Sequence, residues 1–344
     1  VIVSPKWRCH VDASQDGLAF PGQENPDARA SNANPGGNCA YSCVFRAAPP
    51  FPDNPAMTSR LPVSLPETVS TWHADLRLGF AHAGERTVLH ENRHCGPLRV
   101  QKALYPEDEA VCQAIILHPP SGIAGGDHLT IGVDVAAGAH AQLTTPGAGK
   151  WYRSSGADAS QTIDLTVAEG ATLEWLPQET IVFDGARARM ETRVTLAADS
   201  RFIAWDILCL GRAAAGERFA NGRFDLFYRV DRNKQPIWIE RGGFAGDGPM
   251  LASPAGWAGN TVCGTLLCSF PELPQQAAAL LDACRRIAPA DNANHGLSVL
   301  PGILVARYLG NSSEAARLWF AELWAILRPA CIGRPAITPR IWNT

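Results

Sequence analysis

DVAAGAHAQLT (134–144), TVAEGATLEWL (166–176) and TLAADSRFIAW (195–205) are three versions of one pattern: strand, tight turn, strand. They recur after 32 and then 29 residues. A unit of fixed length cannot bury its apolar edge alone, whereas stacked copies cover one another. The reading is therefore a mainly β chain built as a solenoid, a β-helix-like stack of short strands; the alternative is hairpin repetition in a sandwich.

Outward from these copies the same period-two signal continues. Trp72, Ala74, Leu76, Leu78 and Phe80 alternate with His73, Asp75, Arg77 and Gly79, as a half-buried strand requires. Further short strands are expected at 98–104, 112–118, 129–135, 141–145, 162–167, 172–176, 190–196, 202–208, 224–230 and 236–241, and one more within 297–309. Helical period appears only near the end, over 274–287 (Ala277, Leu280, Leu281, Cys284 on one face) and 313–327 (Ala316, Phe320, Leu323, Leu327). Pro274 suits a first turn, Ser312 or Ser313 can cap the second helix, and Pro329 is expected to end it. These two helices form a small C-terminal part of a domain spanning 57–344. Residues 1–56 are rich in Pro, Asn, Ala and Gly without a period, so disorder is expected there, with Met57 a possible true start.

Composition excludes several classes. Of 344 residues, 46% are hydrophobic and 18% charged, and a formal charge of -3 provides no field for nucleic acid or a membrane surface. No apolar run reaches the roughly 18 to 20 residues of a membrane span, and a cytoplasmic location is expected. The ten cysteines fall largely in apolar runs and read as buried thiols. Cys39/Cys43 and Cys263/Cys268 have spacings a zinc site tolerates, but no second pair completes either.

The sharpest enzyme signal is His90-Glu91-Asn92-Arg93-His94, an HExxH string that would make a zinc-dependent hydrolase if helical. Thr87 and Val88 before it and Cys95-Gly96-Pro97 after it favour a strand leading into a turn. GAGK (147–150) lacks the first Gly and the Ser or Thr of a phosphate loop. What remains are carboxylates at strand ends or inside apolar strands: Asp127 closing PPSGIAGGD (119–127), Asp206 in FIAWDILCLGR (202–212) and Glu240 in PIWIER (236–241). Such a charge must be paired, hydrated or bound to a cation. Arg212 and Arg241 are available partners, and a turn cap is the alternative for Asp127.

GERTVLHENRHCGPLRVQKALYPE (84–107), LHPPSGIAGGD (117–127), TTPGAGKWYRSSG (144–156), LEWLPQETIVFDGA (173–186), WDILCLGR (205–212) and PRIWNT (339–344) follow one another in an order that resembles the UreD family of urease accessory proteins. The resemblance spans roughly 69–344. It implies a solenoid-like β fold and a non-catalytic metallochaperone that binds the urease structural subunits (UreABC) and UreF and, through UreF, the GTPase UreG. It implies no tightly bound cofactor, only nickel in transit, with Asp127, Asp206 and Glu240 lining a nickel passage and Lys150 near it. Ser121 stands where the family pattern has Gly, and Gly149 where it has a small hydroxyl residue.

Overall fold

The computed structural model describes residues 10–11 and 71–343. A two-residue strand β1 (His10–Val11) precedes the hairpin of β2 (His73–Ala83) and β3 (Arg86–Cys95) and that of β4 (Arg99–Leu104) and β5 (Val111–Leu117). The chain then coils through β6 (His128–Val135), β7 (His140–Thr144), β8 (Gly149–Trp151), β9 (Ala159–Val167), β10 (Thr172–Leu176), β11 (Thr180–Val182), β12 (Arg187–Leu196) and β13 (Arg201–Leu210). It closes with β14 (Arg223–Arg232), β15 (Gln235–Ala245), the single turn α1 (Pro249–Ala252), β16 (Val262–Ser269), α2 (Leu273–Arg285), β17 (Asn294–Leu300), β18 (Ile303–Gly310) and α3 (Ser313–Ile332).

Two sheets result, in the orders β1-β3-β2-β6-β9-β12-β14-β15 and β17-β18-β16-β13-β10-β7-β5-β4. The longer strands of the coil go to alternate sheets, and within each sheet neighbours pair parallel: β6 with β9 and β9 with β12, β7 with β10 and β10 with β13, while short β8 and β11 join the second sheet, β11 pairing with both β8 and β13. A hairpin sandwich would pair them antiparallel, so parallel pairing decides for the β-solenoid. The three quoted repeats are its stacked corners. Thr172 N–H donates to Ala139 O (2.8 Å) and Arg201 N–H to Ala171 O (2.9 Å), so each turn hangs on the one before. Gly138 and Gly170 have φ of 72° and 64°, which glycine adopts without strain. Asp199 replaces Gly in the third copy, and its Oδ1 accepts the Gly170 N–H at 2.9 Å.

Leu76, Leu78 and Phe80 face inward with Ile131, Val133, Leu165, Val194, Phe224 and Val230 to form the core between the sheets. The outer face of the second sheet buries Ile203, Trp205 and Ile207 against Phe320, Leu323 and Trp324 of α3. No helix among the described residues is long and apolar enough to cross a membrane.

Several details differ from the sequence reading. The apolar stretch 297–309 is a hairpin, β17 and β18, because positive-φ Gly302 turns the chain back. Strands β8, β11 and β16 were not expected; the first two are only three residues long, too short to show a period. Pro329 lies inside α3, which ends at left-handed Gly333. Proline in a helix forfeits a hydrogen bond, but burial of Leu327, Arg328 and Cys331 holds the last turn in place. The expected disorder of 1–56, Met57 and the Cys39/Cys43 pair lie outside the described residues, apart from His10 and Val11, which pair antiparallel with His94 and Arg93.

A carboxylate-bearing belt between the sheets

Period-two strands facing a common core should place only apolar side chains inward, yet one row breaks the rule. Across the first sheet, register aligns Leu76, Ile131, Ile163, Thr192, Tyr228 and Glu240. The row turns from apolar to polar as it crosses the sheet. Opposite it, Asp206, Thr265 and Arg307 align on β13, β16 and β18. Asp206 stands between Ala204 and Leu208, both buried in the inter-sheet core. At the belt two bonds join the sheets: Arg307 Nη1 donates to Glu240 Oε1, and Thr265 Oγ1 donates to Glu240 Oε2 at 3.3 Å.

Two cavities flank this belt. The larger, about 500 Å³, is lined by Asp206, Tyr228, Glu240, Cys263, Thr265 and Arg307 among others. The smaller, about 270 Å³, is lined by His118, Lys150, Gln161, Thr192, Asp206 and Tyr228. Asp206 and Tyr228 are the two residues common to both linings.

Burial, and then the negative charge of Glu240, push the Asp206 carboxyl up to about 7. Burial first, then Asp206 and Glu240, raise the Tyr228 phenol far above its ordinary range, so the hydroxyl keeps its proton. That hydroxyl has no hydrogen-bond partner, and Tyr228 is only 5% exposed. A buried donor without a partner costs about 1–3 kcal/mol. Burial pushes the Cys263 thiol up to about 11, leaving a weak ligand at neutral pH. Burial also lowers His118, against the pull of Asp127, so its imidazole is neutral and able to ligate. Oxygen and imidazole donors of this kind suit a hard or borderline divalent cation.

The three expected carboxylates are not brought together. Asp206 and Glu240 share the larger cavity, whereas Asp127 lines neither cavity. Its Oδ1 accepts the Trp72 N–H at 3.1 Å and its Oδ2 the Ala124 N–H at 2.8 Å, so it fastens the Gly-rich turn to the start of β2. Ser121, in that turn, has φ 66°, a conformation that favours glycine. Lys150 lines the smaller cavity. Neither expected arginine pairs with the belt: Arg212 binds Glu217 at 2.6 Å, and Arg241 lies over the Phe227 ring.

Two competing metal readings that fall on the described residues fail on geometry. His90 and His94 lie in strand β3, where four residues span about 13 Å, too far for one zinc ion. Gly79 opposite gives the His90 ring its room, since a Cβ there would lie 2.8 Å from Nε2. Cys263 packs with the inter-sheet core and Cys268 with the helix-side core, so β16 sends them to opposite faces.

Of the residues that line this space, the sequence reading names Asp206 and Glu240, because a carboxylate in an apolar run stands out. It missed Thr192, Tyr228, Thr265, Arg307 and His118. All but His118 occupy inward positions of their strands, so reading each strand by period two for polar side chains on its apolar face would have found them.

Fold and belt together define a β-solenoid with acidic, partly open space between its sheets and a helical C-terminal cover. The model of the UreD urease accessory protein family matches residues 73–343. The chain is 78% identical over 288 residues to the urease accessory protein UreD of Dechloromonas aromatica (strain RCB), covering 84% of this chain and 100% of that one. It is 52% identical over 273 residues to UreD of Azoarcus sp. (strain BH72), covering 79% and 94%, and 51% identical over 284 residues to UreD of Pseudomonas fluorescens Pf-5, covering 83% and 99%. The chain belongs to the UreD family.

Proposed function

We propose that this protein is a non-catalytic assembly factor of urease maturation, working in the cytoplasm. In this reading it holds the urease structural subunits (UreABC) and, on another surface, UreF with the GTPase UreG, and nickel passes between its two sheets. The observation that carries the passage is the sharing of Asp206 by the two cavities. Family membership supports the maturation role, because the relatives are named urease accessory proteins.

The chemistry of the belt fits transit rather than capture. A bare divalent ion cannot enter an apolar space, since stripping its water costs many kcal/mol. Asp206 and Glu240 offer charge where the strands are otherwise apolar. Near neutral pH the Asp206 carboxyl sits close to its midpoint, so a cation displaces its proton readily and releases it as readily. Arg307 already neutralises Glu240 and competes with the ion there, which keeps binding weak.

The test is co-expression of the full chain with urease subunits, UreF and UreG, followed by pull-down and nickel analysis of the urease recovered. The double variant Asp206→Ala/Glu240→Ala should still co-purify with its partners while nickel content falls. Normal nickel content with that variant would reject the passage; failure of urease and UreF to co-purify with the native chain would reject the scaffold.

A further inference from the structure

Tyr228 is placed in register between Thr192 and Glu240 and walls both cavities with Asp206. Its ring packs into the inter-sheet core, which accounts for the ring but not for the hydroxyl. The hydroxyl is withdrawn from solvent and has neither donor nor acceptor partner among the described residues. A phenylalanine would fill the same space without that penalty.

We propose that Tyr228 is a positioning residue of the passage: its hydroxyl hydrogen-bonds the water shell of a divalent cation as the ion crosses beside Asp206 from one cavity to the other. The inference rests on the passage reading and deepens it. At this point the ion faces Asp206 on one sheet and Tyr228 on the other, and the walls around them are apolar or small: Ala204 and Leu208 beside Asp206, Leu226 beside Tyr228. A shell water that loses bulk solvent there finds one carboxylate and one hydroxyl. The hydroxyl can accept from that water or turn and donate to it, so it serves the shell whichever way the water points. Cys263 is protonated and Arg307 is engaged with Glu240, which leaves Tyr228 as the neutral polar group that the two cavities have in common.

The experiment compares Tyr228→Phe with the native chain in the co-expressed complex, measuring nickel per urease active site over a range of nickel concentrations. The variant keeps the ring and removes one unpartnered oxygen, so its melting temperature should be equal or higher and the complex should form unchanged. Nickel loading should fall several-fold at limiting nickel and recover as nickel is raised, a concentration dependence that loss of packing does not produce. A loading curve superimposable on the native one overturns the proposal. Asp206→Ala/Glu240→Ala in parallel separates the two readings. If that variant loads poorly while Tyr228→Phe loads normally, the passage stands and the hydroxyl has no part in it; if both load normally, the passage itself is gone.

Discussion

Glu174 on β10 and Arg328 on α3, 154 residues apart in the chain, form an ion pair with no water access: both side chains are 0% exposed, with Nε to Oε2 at 3.0 Å. Trp324 Nε1 donates to the same Oε2 at 2.7 Å, and His140 Nε2 lies 2.8 Å from Oε1. Burial alone would raise the Glu174 carboxyl, but His140 and Arg328 together hold it below its ordinary value. Arg328 also reaches Glu107 at 2.6 Å, joining the helix to the loop after β4.

This pair should be the most sensitive point of the C-terminal cover. Arg328→Met strands a buried carboxylate and is expected to cost about 3–5 kcal/mol, whereas the double variant Glu174→Leu/Arg328→Met removes that charge but leaves Trp324, His140 and Glu107 short of a partner, so it should recover only part of the loss. Denaturant titration of the native chain, both single variants and the double closes the cycle. Additive losses would mean that the two charges act independently.

The chain end is tied to the solenoid by a second bond. Trp342 Nε1 donates to Thr144 Oγ1 at 2.7 Å, and Thr144 in turn donates to Leu176 O at 2.7 Å. Trp342→Phe removes the first bond and also part of a buried ring packed on Trp205 and Trp324, so it should cost more than the about 1 kcal/mol of a hydrogen bond. Thr144→Val keeps that ring but leaves both the indole N–H and the Leu176 carbonyl without their partner, and its melting temperature should fall. A native melting temperature for Thr144→Val would show that the hydroxyl links contribute nothing.

Much of this architecture was legible because the repeats at 134, 166 and 195 carry their own geometry: a turn residue at a fixed step and apolar alternation on both sides. The parallel pairing follows once those turns stack. The belt was harder to read, because a threonine or a tyrosine in a strand is ordinary by propensity. Tyr228 differs from a satisfied core tyrosine only in what surrounds its oxygen, which sequence does not state. Asp127 also stands out in the sequence, and the two backbone N–H groups on its carboxylate are what its alternative reading as a turn cap requires. The Glu174–Arg328 pair spans elements that no local pattern connects.

The raised Asp206 carboxyl has a consequence for stability against pH. In the folded chain it titrates at about 7, against about 4 when unfolded. Between those values the unfolded chain has released a proton that the folded chain retains, so rising pH favours unfolding. The penalty is absent below about pH 4, grows up to about pH 7 and is constant above it, with an upper bound on the order of 4 kcal/mol. Asp206→Asn removes the titration, so the variant should gain stability relative to the native chain as pH rises from 5 to 8. Melting curves at several pH values without nickel test this; a difference that stays flat with pH would place the Asp206 midpoint near an ordinary carboxylate.

Asp127 and Asp206 should part company under substitution, because one is bonded to backbone and the other faces open space. Asp127→Ala frees the Trp72 and Ala124 N–H groups and loosens the turn before β6, a loss comparable to that of a helix cap, about 1–2 kcal/mol. Asp127→Asn retains one acceptor oxygen and should recover roughly half of it. Both effects belong to the fold, so they should appear in the melting temperature of the chain alone and be unchanged by added nickel. Asp206→Asn should instead leave the turn intact and lower nickel delivered to urease. If Asp127→Asn melted like the native chain but delivered as little nickel as Asp206→Asn, the carboxylate charge at 127 would belong to the ion's route after all, and its two backbone bonds would be incidental to that role.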